Sequence, residues 1–164
     1  MEINMLSNKK PWFHHLADLC TILGRKRVIL DRESKSPYLI RFYLISTRWL
    51  EPIFPSLSFN LVLHNFMRSD EDGLHDHPWT AWTRILKGGY WETTPAGTFW
   101  REPGSWRKID KNDYHRIELD PEKAQGSTWS LFLMKRREKE WGFQDHHGNW
   151  IQWQEYINNR EKYV

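Results

Sequence analysis

Between residues 28 and 134 the chain alternates short period-two runs with clusters of turn-forming residues, a pattern that restricts it to an all-β architecture. Runs at 28–30, 38–46 and 57–67 read as strands, divided by Pro37, Pro52 and Pro55. Turn chemistry fills 68–73. A strand is then expected from 74 to about 86, followed by Lys87-Gly88-Gly89, a glycine turn suited to a hairpin. The return strands are 90–94 and 99–101, and further runs lie at 104–109, 114–119 and 128–134, with 120–127 as a polar hairpin loop. Many short strands at such spacing argue for a barrel or a sandwich. Its interior would be aromatic, since the chain carries 11 Trp, 8 Phe and 6 Tyr.

Two other elements flank this run. Residues 11–24 read as a short amphipathic helix: Pro11 at its start, Trp12, Leu16, Leu19 and Leu23 on one face, Gly24 as the stop. His14 and His15 belong to that helix as surface or packing residues. At the other end, aromatic residues from Trp141 to Trp153 surround Asp145-His146-His147-Gly148, which reads as a hairpin or cap with both histidines in its loop. We expect a single domain over 1–164, with its core at 28–143 and the cap at 144–164.

Function classes can be excluded from composition. Cys20 is the one cysteine, so neither an internal disulfide nor a zinc-finger framework is available, which fits a reducing cytoplasm. No apolar export stretch appears in 1–15 and no apolar run is long enough to span a membrane, so we expect a cytoplasmic protein with no membrane partner. The formal charge of +3 comes from 24 basic residues interleaved with 21 acidic ones; nucleic acid is permitted but not indicated.

The residues with most chemistry are His75 and His77, in Leu74-His75-Asp76-His77-Pro78-Trp79. On a strand they face one way with Cα atoms about 6.5 Å apart, so both imidazoles can grip one metal ion. Asp76 then faces the other way, poorly placed as a ligand and better placed to orient a neighbouring group. A third histidine, His115, follows 38 positions after His77, just beyond the turn Lys111-Asn112-Asp113.

Taken with Gly88, and with Gly104, Asp110, Asn112 and His115, this pattern resembles the cupin superfamily. Its first motif carries His-x-His, then a carboxylate, then a glycine; its second carries Gly, five residues, Pro-x-Gly and, after two more, a His. Here Gly104-(x)5-Asp110-x-Asn112-(x)2-His115 keeps the second spacing, with Asp and Asn in place of Pro and Gly. Asn112 tolerates the left-handed conformation that glycine would supply. The first motif departs further, because Ala81 and Trp82 stand where the carboxylate belongs. Other segments, including Tyr38-Leu39-Ile40-Arg41, the His-Asp-His-Pro-Trp run and Trp141-Gly142-Phe143, look like small bacterial and phage cupin-like proteins over most of 38–155.

The resemblance implies a cupin-type jelly-roll barrel, a double-stranded β-helix, with a metal held by His75, His77 and His115. Three imidazoles without a carboxylate suit a divalent ion: iron(II), as in the three-histidine dioxygenases that share the barrel, before zinc(II) or manganese(II). It thus implies an oxygenase of a small polar or anionic substrate. Glu92 is an acid that either approaches the site or is exposed. His64, with Val62 and Phe66 on one face, would point into the barrel as acid, base or substrate contact. Arg41, Arg84, Arg107 and Trp79 are candidate substrate contacts, and Trp82, Trp106 and Trp129 are further possible pocket walls. We expect Arg41 to face water; pointing inward, it would clamp a carboxylate or phosphate. Two alternatives stay open: a non-catalytic binder of a small anionic or nucleotide-like ligand, and a metal-independent epimerase using His64 as base and Tyr90 as acid. Homodimers through exchange of strands near 28–46 are expected by analogy with the family.

Overall fold

Period-two segments become strands in two sheets in the computed structural model, which describes residues 10–32, 34–124 and 126–163. Segment 1–9, part of the stretch read for an export signal, lies outside the described residues. One sheet has the order β1-β2-β3-β9-β4-β7, from β1 (Lys26–Leu30), β2 (Pro37–Ser46), β3 (Phe59–Phe66), β4 (Ala81–Lys87), β7 (Trp106–Ile109) and β9 (Thr128–Lys135). The other has the order β6-β5-β8, from β5 (Tyr90–Thr94), β6 (Gly97–Arg101) and β8 (Arg116–Glu118). A hairpin of β10 (Gly142–Gln144) and β11 (Trp150–Gln152) is stitched to the smaller sheet at one residue: His75 bridges His115 on one side and Phe143 on the other. Leu39, Phe66 and Ile85 from the large sheet pack on Tyr90 and Ile117 from the small one, so the core between the layers is apolar near its middle.

Three expected connections are different in the fold. Gly88-Gly89 makes no hairpin, because β4 pairs with β9 and β7 while β5 pairs with β6 and β8. The turn instead carries the chain between sheets: Gly88 and Gly89 adopt φ of 79° and 132°, and a Cβ on Gly88 would meet Thr128 Oγ1 at 2.7 Å. Loop 120–127 likewise crosses from β8 to β9 rather than closing a hairpin. The expected strand from 74 to 86 is interrupted, with a bend at Pro78 and Trp79 before β4, since Pro78 has no N–H to give a ladder.

Helix α1 (Trp12–Ile22) forms where expected but buries another face. Phe13, Ala17 and Cys20 are buried against Phe42, Leu63 and Trp129, while Trp12, Leu19 and Leu23 stay exposed. Small side chains at 17 and 20 let the helix lie close to the sheet. The hairpin at the C-terminal end is followed by α2 (Trp153–Asn158), which the sequence reading held only as part of a cap; the Gln152 side chain accepts from the backbone N–H of Gln154 and Glu155 at 2.8 and 3.2 Å. His146 and His147 are exposed in the hairpin turn, and the His14 ring packs on Trp129 at 4.6 Å. Among the described residues no helix is long and apolar enough to cross a membrane.

Candidate metal centre

His75 and His115 exchange backbone hydrogen bonds, N–H to carbonyl, at 3.0 and 2.9 Å. Residues paired in this way send their side chains to one side of the sheet, and His77 lies two positions further along. The result is convergence: one ring nitrogen from each of the three histidines lies within 4.8 Å of the other two. His77 Nε2 and His115 Nε2 stand 2.8 Å apart. Three nitrogens bound to one ion at about 2.1 Å sit about 3–3.5 Å apart, so a divalent ion fits after a small widening. His75 and His77 are half-buried and His115 is buried.

The two carboxylates beside the cluster have separate duties. Asp76 keeps the expected alternation and points away, where it accepts from Gly142 N at 2.8 Å, Trp150 Nε1 at 3.1 Å and Lys139 Nζ at 2.5 Å. It pins the β10–β11 hairpin onto the histidine segment. Glu92 is fully buried on β5 and sits opposite Ile117 of β8, hence diagonal to His115. Its Oε1 accepts from His115 Nδ1 at 2.7 Å, while Oε2 accepts from Arg101 Nε at 2.7 Å and pairs with Arg107. With Nδ1–H donated to Glu92, His115 presents the Nε2 lone pair to the cluster. Trp79 stacks on His77 at 4.5 Å, with 14° between the rings, and holds that imidazole in place.

Burial keeps the imidazoles neutral. It pushes His115 down to about 4, with Arg107 adding to the effect against the pull of Asp70, and lowers His75 and, strongly, His77. Neutral imidazole is the metal-binding form.

Beside the cluster opens a cavity of about 480 Å³, into which Arg41, His64, Trp79 and Tyr90 project. His64 is 2 % exposed, stacks on Phe132 at 4.5 Å, and burial drives its pKa well below the ordinary value. Burial lifts the Tyr90 hydroxyl to about 12. Arg41 corrects an expectation: it lines the cavity instead of facing water. Its neighbours Ile40 and Phe42 pack under α1, so both faces of β2 are covered, and alternation sends Arg41 into the barrel.

Other expected contacts lie elsewhere. Arg84 is exposed and stacks over Trp106 at 5.3 Å, and Arg107 is committed to Glu92. Of the four tryptophans considered as walls, only Trp79 lines this cavity; Trp129 is in the core under α1, Trp106 is exposed, and Trp82 lies under Lys135. Asn112 is not left-handed; the turn before His115 closes instead through Asp113 Oδ2, which accepts from Asp110 N at 2.9 Å. The sequence reading missed Trp141 and the Tyr38–Asp70 pair as cavity residues. Asp70 also accepts from Ile117 N at 2.6 Å, a long-range contact with no local signature.

Neither a protein-family model nor a curated protein matches this sequence. Solved structures do match in fold. A cupin-2 domain protein of Rhodospirillum rubrum aligns with a TM-score of 0.55 and 14 % identity, covering 75 % of this chain and 78 % of that one. The Fe(II) form of HppE aligns at 0.51 and 11 %, covering 68 % of this chain and 57 % of that chain. The polyketide cyclase RemF of Streptomyces resistomycificus aligns at 0.51 and 18 %, covering 71 % and 78 %.

Proposed function

We infer that the histidine cluster inside this cupin jelly-roll fold is a metal centre. We propose that His75, His77 and His115 hold one divalent metal ion, with iron(II) favoured over zinc(II) or manganese(II), and that the protein is an oxygenase of a small polar or anionic substrate. One observation carries this reading: three buried or half-buried imidazoles converge, with no carboxylate among them, at the wall of a cavity large enough for a small molecule. When bound, such an ion supplies Lewis acidity and, as iron(II), electrons for the reduction of oxygen.

The protein's own contribution is positioning. Glu92 fixes the tautomer of His115, Trp79 fixes the plane of His77, and Asp76 locks the hairpin that carries Trp141 over His75. Phe66, Phe132, Ile109 and Ile117 give the cavity its apolar wall. Tyr90 stays a neutral hydroxyl, available to donate a hydrogen bond to a bound molecule.

Metal analysis of protein purified without chelator, alongside His77→Ala, tests the first step. We expect about one ion per chain in the wild type and its loss in the variant; a wild type without stoichiometric metal overturns the reading. Oxygen uptake of the iron-loaded protein against thiols, amino acids and keto acids tests the second. Ligand-induced stabilisation without turnover would assign the barrel to the binding-module alternative. Depressed basicity at His64 and a raised Tyr90 both weaken the metal-independent epimerase reading.

A further inference from the structure

Three polar residues form a row across the inner face of the large sheet. Arg41 on β2 stands opposite His64 on β3, and His64 stands opposite Ser130 on β9. Directly opposed residues project on the same side, so the row is continuous. Each member has buried polar atoms with no hydrogen-bond partner: Arg41 Nε, both ring nitrogens of His64, and Ser130 Oγ. His64 and Ser130 are 2 % and 0 % exposed, so bulk water does not satisfy them.

Polar groups elsewhere in this interior are satisfied. Glu92, Asp76 and Asp70 each accept at least two hydrogen bonds, and Thr128 Oγ1 both donates to and accepts from the Gly89 backbone. Of the other buried side-chain atoms without a hydrogen bond, Arg107 Nη1 and Asp72 Oδ1 lie in ion pairs and Asn65 Oδ1 belongs to the opposite face of β3, so the unpartnered atoms facing the cavity gather in this row. Among the described residues no carboxylate pairs with Arg41, although other buried arginine contacts are paired, as Arg107 is with Glu92. Asp70, the carboxylate in the cavity, is already held by Tyr38 and Ile117 N. A guanidinium that has the Tyr43 hydroxyl but no carboxylate as partner, beside a neutral imidazole, is a receptor for an anion.

The walls specify the rest of the molecule. Around Arg41 and His64 the cavity is built from Leu39, Phe66, Ile117 and Phe132, with Trp79 towards His77. Arg41, with Arg27 opposite it on β1 and Arg137 also on the lining, gives the cavity a cationic side, and together with neutral His64 and the apolar walls it matches an anionic group on an apolar body. A carboxylate matches the planar fork of the Arg41 guanidinium, and the lining holds neither a glycine-rich loop nor a helix N-terminus of the kind that cradles a phosphate. We propose that Arg41 and His64 form a carboxylate-recognition subsite, and that the molecule taken into the cavity is a small carboxylic acid with an apolar, aromatic-sized body. Its carboxylate lies on Arg41 and its far end reaches His77. As a statement about substrate this rests on the proposed function, but anion binding at the row does not need the metal.

Calorimetric titration separates the two. 3-Phenylpropionate, 3-phenylpropionamide and phenyl phosphate are each titrated into chelator-treated protein and into zinc-loaded protein, for the wild type, Arg41→Met and His64→Phe. The wild type is expected to take up phenylpropionate saturably in both forms, with a dissociation constant on the order of 1 mM or tighter, and the amide about 10-fold more weakly or worse. Arg41→Met is expected to weaken the acid by about 10- to 100-fold, and His64→Phe by several fold, with circular dichroism and zinc stoichiometry unchanged. Equal affinity for acid and amide, an Arg41→Met variant that binds like the wild type, or no uptake in either form overturns the subsite. Tighter uptake of phenyl phosphate overturns the carboxylate assignment in favour of a phosphate. Arg41-dependent uptake by a protein that takes up no stoichiometric metal even when zinc or iron(II) is supplied would sink the oxygenase reading and leave the subsite standing.

Discussion

The two faces of β2, β3 and β9 are made from alternate residues of the same strands and have opposite characters. Outward, Phe42, Leu63 and Trp129 pack with Phe13, Ala17 and Cys20 of α1 in an apolar cluster, with Asn65 Oδ1 at its edge the unpartnered atom on this side of β3 among the described residues. Inward, the neighbouring residues Arg41, His64 and Ser130 carry polar atoms without partners. The outer face stabilises the barrel, and the stability it supplies tolerates an inner face that is unfavourable until something binds there.

The largest effect is expected at Glu92, the inner-face residue that is fully satisfied. Glu92→Ala leaves Arg101, Arg107 and His115 without their shared acceptor and is expected to cost about 3–5 kcal/mol in urea unfolding. Metal affinity in the fraction that folds should fall about 10- to 100-fold. A stable variant with wild-type metal affinity would remove Glu92 from both roles. Leu63→Ala, on the outer face, should cost about 2–5 kcal/mol through a cavity beneath α1 while the folded protein keeps its metal stoichiometry. Loss of metal binding in a folded Leu63→Ala protein would show the two faces to be coupled.

Acid should act through the inner face. His64, His75, His77 and His115 all have folded-state pKa values below the ordinary 6.5, with His115 near 4. Below about pH 6.5 the unfolded chain therefore binds protons that the native protein does not. Their contribution is fully present above that pH and is lost as pH falls towards about 4. Chemical denaturation across this window should show falling stability, with a shallower decline in His64→Phe; equal slopes would mean that His64 is not buried neutral. Arg41→Met should be near neutral without ligand, within about 1 kcal/mol, because it replaces a half-buried charge that has no carboxylate partner with apolar volume. A large loss of stability would show that Arg41 has a structural partner. Arg84→Ala, exposed and stacked only on exposed Trp106, sets the baseline at about 0.5 kcal/mol or less.

Much of the centre was legible in the chain. The His-x-His spacing placed His75 and His77 together and turned Asp76 away, and the second motif pointed to His115, because these relations depend on local alternation and on a turn of fixed length. Val62, His64 and Phe66 likewise share a face. Glu92 was not legible as the partner of His115, since its reach depends on β5 joining β8 and not β4. The glycine pair before it looks the same in a hairpin as in a crossing between sheets. Arg41 was misjudged for a related reason. An arginine within an apolar strand suggests exposure only if one face of that strand meets water, and α1 covers that face.

Residue order alone determined which side chains share a face, because that follows from the period of an extended backbone. Which face became the interior was decided only by the tertiary structure, through the choice of partner strands and the docking of α1. Burial is set by what covers a surface, and a strand carries no record of its cover.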